Sequence, residues 1–408
     1  MRGGRGDPTR RRRQAVMQKP ILFLIDELEV GGSQRQILVL ARALREAGHA
    51  VTVAYFREEN ANLRPAFEAA GVTTRLVRKG RGFDARFLFQ LGQLLASDRD
   101  WRVLTFGYTA SLWTRLAGWP RGSAPSVSCI RNLGYLPRSA GAVAAVMKGV
   151  ERVLASRSRW VVANSQVTAD SVVARGIIPK HKMLVIPNAV EATAPEPRAS
   201  SRARLDAIVV SGASGAGADT RPGARSGGQP DGRPMVGTLA RLVDVKDLPT
   251  LLRAARHVVD ARADARFVIG GEGPARGRLE TLRRELGLDG KVFFPGTLDG
   301  REVITGLDVA VLTSSSEGMP NFVLEAMAAG VPVVSTRVGA AAELLDGGAL
   351  GRLVAVGDAR GVAEGILGVL RDPAGARSQA ERATAKVRDL TPARIAGRYL
   401  ELFEETGI

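Results

Sequence analysis

One cysteine, Cys129, stands in 408 residues. The chain therefore closes no intramolecular disulfide and builds no multi-thiolate metal site, usage that fits a reducing, cytoplasmic compartment. Histidine is scarce too, with His49, His181 and His257 the only three. Aromatics make up 5% of the residues, and they form no interleaved aromatic–basic platform of the kind on which single-stranded nucleic acid stacks. Long apolar runs are missing. Ile21–Ile25 is followed at once by Asp26, Glu27 and Glu29, far short of the ~20 residues that span a bilayer. The Arg10–Arg13 cluster ahead of it shows no small-residue cleavage site. Residues 1–19 therefore read as a disordered basic tail rather than a signal peptide, and any membrane contact is expected to be peripheral.

What is present is an ordinary globular balance, 45% apolar and 24% charged, enough for two or three domains at roughly 100–200 residues each. The charge is uneven. Residues 1–190 hold 30 basic and 13 acidic side chains, whereas residues 191–408 hold 28 of each. The whole excess of +17 sits in the first half. That half is expected to face an anion, whether phospholipid, a phosphate-bearing substrate or nucleic acid.

From Pro20 onward short apolar segments alternate with helical patterns. Strands are expected at Ile21–Asp26, Ala50–Phe56, Val72–Val77, Arg102–Phe106, Ser126–Arg131, Trp160–Ala163 and Met183–Ile186. Ser33 is the expected N-cap of a helix that ends near Gly48. After Glu191 the pattern stops. Ser200–Gly232 is rich in Gly, Ala and Ser, and residues 191–233 read as a flexible linker insert. The pattern resumes with strands at Met235–Ala240, Arg266–Gly270, Lys291–Pro295, Val309–Thr313, Val331–Ser335 and Arg352–Val354, and ends with a helix at Pro392–Glu405. Such alternation predicts an α/β chain with two Rossmann-like, doubly wound domains of similar size, facing across a cleft at the carboxyl ends of their strands. The expected division is 20–190, 234–390 and a final helix, 391–408, that returns to the first domain.

Four segments carry the candidate chemistry. Ser314-Ser-Ser-Glu-Gly-Met-Pro-Asn-Phe-Val-Leu-Glu325 follows a strand and opens a helix. Pro320 suits the first helical turn, Gly318 permits close backbone approach, and the amides of Met319, Asn321 and Phe322 point toward an anion at the helix N-terminus. Glu317 and Glu325 then flank one ligand. The competing reading is a solvated acid beside an N-terminal cap. Gly237-Thr-Leu-Ala-Arg-Leu-Val-Asp-Val-Lys246 sets Arg241 and Lys246 at a strand end, as a diphosphate clamp or as surface cations paired with Asp244 and Asp247. Gly270-Gly-Glu-Gly-Pro274 is either a ligand-hugging loop or a plain turn, since Arg276 stands where a third motif glycine belongs. Glu29-Val-Gly-Gly-Ser-Gln34 makes room for a phosphate or sugar, or simply turns tightly.

Taken together, and with Val161-Val-Ala-Asn-Ser165, Val185-Ile-Pro-Asn188 and Ala326-Met-Ala-Ala-Gly-Val-Pro-Val-Val334, these segments resemble the GT-B glycosyltransferases of the retaining family 4, the group 1 glycosyl transferases. The resemblance covers about residues 20–190 and 234–408. It implies a nucleotide-sugar donor and a metal-independent transfer with no cofactor. Arg241 and Lys246 hold the diphosphate, Glu317 the donor sugar and Glu325 the ribose. Gly237, Gly271, Glu272, Gly273, Pro274 and Gly318–Phe322 line the donor site, and Gly32 allows close approach from the first domain. Many relatives place a histidine on the loop after the fifth strand. Here Arg131-Asn-Leu-Gly-Tyr135 stands there, which makes Arg131 and Asn132 the candidates for sugar or acceptor contact. Each of the three histidines reads as a surface residue. Asp98-Arg-Asp100 has the D-x-D form that another glycosyltransferase fold uses for a divalent cation, but it follows a helix end and reads as a solvated turn.

The resemblance also gives the basic half a use. Acceptors in this family are often lipid-linked sugars or glycolipid and polysaccharide precursors. Clustered cations, worth about 1 kcal/mol each near anionic lipid, suit docking on the cytoplasmic face of the membrane. Gly141–Arg159 has the spacing of an amphipathic helix for that purpose, or of an ordinary packed one. An epimerase or phosphorylase on the same fold is the alternative, although the only lysine available near the C-terminus for a phosphorylase's pyridoxal group is Lys386, in a charged stretch. A basic nucleic-acid-binding protein is the remaining class.

Overall fold

The computed structural model describes residues 19–406, apart from 60, 81, 119–125, 132–148, 150–151, 154–157, 159, 177, 192–196 and 214–231. The basic tail, Asn132 and nearly all of Gly141–Arg159 thus lie outside the described residues. The chain divides into two compact units, Met1–Ala189 with Leu390–Ile408, and Val190–Asp389.

The first unit holds a seven-stranded sheet in the order β3-β2-β1-β4-β5-β6-β7. Its strands are β1 (Ile21–Glu27), β2 (Val51–Arg57), β3 (Thr73–Leu76), β4 (Arg102–Phe106), β5 (Ser126–Ile130), β6 (Trp160–Ala163) and β7 (Met183–Val185). All pairings are parallel, with Ile21 opposite both Val51 and Arg102. A parallel sheet covered on both faces needs unbroken apolar strands, which is why β1 reads as a run rather than an alternation. Its side chains part to opposite faces. Ile21, Phe23 and Ile25 meet the helix Gly32–Glu46, while Leu22 and Leu24 meet the helix Ala85–Ala96. Burying each such side chain fully contributes about 1.5–3 kcal/mol. The helix Pro392–Thr406 inserts Ile395, Ala396, Tyr399, Leu402 and Phe403 into the first of these faces. Cys129 lies beside Tyr399 Oη at 3.8 Å, and burial pushes its thiol up to about 11, so it is an inert packing residue.

The second unit holds a six-stranded parallel sheet in the order β10-β9-β8-β11-β12-β13. Its strands are β8 (Met235–Leu239), β9 (Arg266–Gly270), β10 (Val292–Phe293), β11 (Val309–Leu312), β12 (Val333–Thr336) and β13 (Arg352–Val354). In each sheet the strand order reverses beside the first strand, at β1–β4 and at β8–β11. This is the switch point outside which open α/β sheets bind ligands.

Three expectations change. Within the supposed linker, Arg198–Ala213 forms a helix docked on the second unit. Arg198 and Arg202 hold Asp308 at 2.5 and 2.9 Å, Ser201 Oγ meets Thr305 Oγ1 at 2.6 Å, and Leu205 is fully buried. Gly306 provides the flat landing, since a Cβ there would lie 2.7 Å from the backbone of Ser201 and Arg202. The anchors are polar, so hydrophobic periodicity does not reveal the helix. Ser33 is not an N-cap. Gly31 occupies that position in extended backbone, and the helix begins at Gly32. His49 is not a surface residue either, being 1% exposed, whereas His181 and His257 are exposed.

His49 follows a left-handed Gly48, with its Nδ1 3.4 Å from the Lys19 carbonyl. Burial pushes its imidazole below the ordinary 6.5, and the nearby Arg102 guanidinium, itself stacked 5.3 Å from the Phe403 ring, adds to the effect. Folding thus favours the neutral ring. The stability this contributes is complete above pH 6.5 and is lost as pH falls through the lowered folded value. Wild type should therefore lose stability relative to a His49→Gln variant between pH 7.5 and pH 5 in urea titrations. Parallel pH profiles would show that His49 does not titrate with unfolding.

Candidate functional site

In the second unit the loops after β8, β9, β11 and β12 all leave the carboxyl edge of one parallel sheet. Two of them, 240–247 and 313–320, flank the switch point. They are stitched together by Ser315 N and Oγ, which donate to the Val245 carbonyl at 2.8 and 3.2 Å, and by Thr313 Oγ1, which donates to the Lys246 carbonyl at 3.1 Å. Across this seam Lys246 Nζ lies 2.6 Å from Glu317 Oε1, with the side chains 24% and 15% exposed. Ser314 Oγ donates to the same oxygen at 2.8 Å.

The pairing removes one of the two readings of Lys246, that of a cation paired with Asp244 and Asp247. Asp244 instead binds the exposed Arg278 at 2.6 Å, and Asp247 accepts from Thr250 Oγ1 at 2.7 Å. Lys246 is thus not a surface cation neutralised by its sequence neighbours. It is held across the seam by an acid 71 residues away. Arg241 is exposed in the same loop.

Beyond the seam the helix Asn321–Ala328 begins, with Pro320 as an extended N-cap rather than a first-turn residue, and no side chain caps it. Its amide end and dipole favour a bound anion beside Lys246. Met319 and Phe322 are buried, so their side chains anchor the turn. Glu317 and Glu325 do not point alike. Glu317 is tied to Lys246, whereas Glu325 is exposed, its Oε2 3.6 Å from where a Gly300 Cβ would stand.

The loop after β9 is shaped by its glycines. Gly271 has φ +140, and a Cβ there would lie 1.9 Å from the Ala240 carbonyl oxygen. At Gly273 it would lie 2.5 Å from that of Leu242. Leu242 N donates to the Glu272 carbonyl at 2.8 Å. The glycines therefore let this loop press against the Arg241 loop, which gives the motif a structural reason independent of any third glycine. Exposed Glu272 is held by Arg276 at 2.6 Å, and that guanidinium also donates to the Phe294 carbonyl at 2.8 Å. Exposed Pro274 follows. Gly237 departs from expectation. It lies inside β8, where a Cβ would meet Leu307 Cδ2 at 2.5 Å, so it serves strand packing below the edge rather than donor contact.

Sequence reasoning missed Gly339. At φ +45, a Cβ there would lie 2.1 Å from the Glu317 carbonyl oxygen and 2.6 Å from that of Gly318, and Ala340 N donates to the latter at 2.9 Å. The loop after β12 thus seats the acid. A glycine after a strand, Thr336-Arg-Val-Gly339, was the signal available. The role of Ser314, fully buried, was also missed.

In the first unit, Gly32 is an exposed first helical residue beside the extended Gly31. Arg131 donates to Asn188 Oδ1 at 2.8 Å and sits 5.4 Å over the Phe106 ring. Gln36 brackets Ala189, donating to its carbonyl and accepting from its amide, both at 2.9 Å. Arg131 therefore braces the Val185–Asn188 segment. Burial pushes Asp26 above its usual range, partly offset by Arg57 at 3.5 Å. Asp98–Asp100 is an exposed turn in which Asp98 Oδ1 accepts from Asp100 N at 2.8 Å.

Residues 233–372 match the Glycosyl transferases group 1 family, and residues 30–194 match Glycosyltransferase Family 4. The chain belongs to the family 4, group 1 glycosyltransferases. Among curated relatives it is 34% identical over 144 residues to the N-acetyl-alpha-D-glucosaminyl L-malate synthase of Bacillus anthracis, covering 35% of this chain and 38% of that protein. It is 34% identical over 176 residues to the lipopolysaccharide core biosynthesis glycosyltransferase LpsE of Rhizobium meliloti, covering 42% and 50%. The chain thus spans half or less of the length of these relatives. Among solved structures, HepE from Anabaena in complex with UDP superposes with a TM-score of 0.77 at 19% identity, covering 95% of this chain and 100% of HepE. That likeness establishes the GT-B fold of two Rossmann-like domains.

Gly271→Ala should lower the urea stability of the second unit by roughly 2–3 kcal/mol, because the new methyl group meets fixed backbone at a left-handed φ. Unchanged denaturation midpoints would show that the two loops are free to part.

Proposed function

We propose that this chain transfers a sugar from a nucleoside-diphosphate sugar to an acceptor hydroxyl, with retention at the anomeric carbon. The observation that carries the reading is the seam itself. An ammonium, the carboxylate that holds it and a helix N-terminus lie at the switch point of the second sheet. Lys246, Arg241 and the first-turn amides bind the diphosphate and stabilise the charge that grows on it as the sugar departs, the kind of fixed electrostatic assistance that dominates many catalysed reactions. Glu317 orients the sugar and Glu325 holds the ribose hydroxyls. The anomeric C–O bond to phosphate breaks, the acceptor oxygen bonds to the same face, and the acceptor's proton passes to the departing phosphate oxygen. The two cations do the work for which other transferases use a divalent metal, so no metal or cofactor is required.

The solved relative carries UDP, which supports a nucleotide donor. A relative named for lipopolysaccharide core biosynthesis supports a glycolipid or polysaccharide precursor as acceptor. Among the described residues no helix is long and apolar enough to cross a membrane. The cationic excess of the first half suits a peripheral hold on anionic lipid at the cytoplasmic face.

Calorimetry against a panel of nucleotide sugars should yield one donor that binds. Lys246→Ala and Glu317→Ala should each lower transfer from it by about a hundredfold or more, measured on protein that circular dichroism shows to be folded. Wild-type activity should persist in excess chelator. Full activity in either variant would remove the proposed site. On the membrane question, the chain should sediment with vesicles containing anionic phospholipid and not with neutral ones, and should be released by salt. Equal partitioning onto both would discard electrostatic docking.

A further inference from the structure

Lys246 is the cation assigned to the diphosphate, yet the structure has already given it a carboxylate. We infer that Glu317 is a counter-ion gate on Lys246. It occupies the ammonium until a sugar-bearing donor draws it away, and it reclaims the ammonium once the sugar has left. This inference rests on the proposed transferase reading and adds a role to the same acid.

The pairing is built rather than incidental. The two loops are joined by backbone and hydroxyl bonds next to the pair, from Ser315 and Thr313 to the Val245 and Lys246 carbonyls, so Lys246 and Glu317 are presented to each other by fixed main chain. Ser314 Oγ steadies the oxygen that Lys246 holds at 2.6 Å. Gly339 leaves no slack behind the Glu317 carbonyl. The nearby acids Asp244 and Asp247 have other partners. Both side chains are mostly withdrawn from solvent, so water screens the pair less than it would an exposed one.

The consequence is a preference between substrate and product. A spent nucleoside diphosphate brings phosphate oxygens, which accept hydrogen bonds and carry negative charge. It can take Lys246 only in competition with Glu317, and it gives the displaced carboxylate nothing in return. A sugar nucleotide brings the same phosphates together with sugar hydroxyls, which donate. Those hydroxyls replace the ammonium as partners of Glu317. The carboxylate therefore penalises the product more than the donor and hastens its release, through differential binding of two ligands that share a diphosphate.

The test takes the nucleoside diphosphate that wild type binds among UDP, GDP, ADP and dTDP, with its matching sugar nucleotide. Binding is read by calorimetry and by thermal shift at millimolar nucleotide, so that weak binding still registers. Glu317→Gln should bind the free diphosphate at least about fivefold more tightly, with a smaller change for the sugar nucleotide, so the ratio of the two dissociation constants shifts toward product. Glu317→Asp, one methylene too short to reach Lys246, should move the same way by less, and serves if the Gln variant folds poorly. In a Lys246→Gln background the Glu317→Gln gain should shrink below about twofold. Unchanged or weaker diphosphate binding in the Glu317 variants overturns the gate. A gain that survives Lys246→Gln overturns it too, because plain repulsion between carboxylate and phosphate then explains the effect. If wild type binds the sugar nucleotide while the gate fails, the transferase reading stands. If wild type binds no nucleotide of either kind, both fall.

Discussion

The second unit depends on a seam between two loops that are distant in sequence. Residues 240–247 and 313–320 leave neighbouring parallel strands where the strand order reverses, and that reversal parts the helices that follow them. Left alone, the crevice would expose unpaired main chain. Instead, Ser315 and Thr313 close it with hydrogen bonds to the Val245 and Lys246 carbonyls, and the Lys246–Glu317 pair bridges its mouth. The seam is both a fold element and a charge arrangement. The contacts that hold the loops together also set an ammonium and a carboxylate within 2.6 Å of each other.

Glycines extend this arrangement outward. At Gly271, Gly273 and Gly339 the missing Cβ lets one loop rest directly on the carbonyls of the next. The four carboxyl-edge loops after β9, β8, β11 and β12 therefore behave as one stacked surface, and none is positioned by side-chain packing alone. A small displacement at the Gly339 turn would reach Glu317 through hard backbone contact. By contrast, Gly237 does comparable work below the edge, where it lets Leu307 pack against β8.

The first unit follows the same plan with different stakes. Its central strand is buried on both faces, and the final helix seals one of them with Tyr399 and Phe403. At the carboxyl edge, Gln36 and Arg131 are committed to Ala189 and Asn188. These groups fix the last stretch of the unit before the chain enters the second one. At the opposite edge lie the buried His49 and Arg102, and the Arg102 guanidinium stacks on Phe403 of the final helix.

Strand and helix order were legible in the sequence, because parallel strands must be apolar runs and their helices amphipathic. Ile21–Ile25, Val309–Leu312 and the helix Leu248–Ala261 declare themselves in that way. The site segments were legible as well, since a strand end followed by glycine, cation or acid is a local pattern. The helix Arg198–Ala213 was not. Its hold on the second unit comes from Arg198, Ser201 and Arg202 reaching Asp308 and Thr305 about a hundred residues away. Nor was the burial of His49 visible, because it sits in a helix-to-strand turn whose covering only the folded chain supplies. The sequence by itself determined which residues carry charge at the strand ends. Only the tertiary structure decided that Lys246 answers to Glu317 rather than to Asp244 or Asp247, because a charge pairs with the group that the fold brings within reach, whatever its neighbours along the chain.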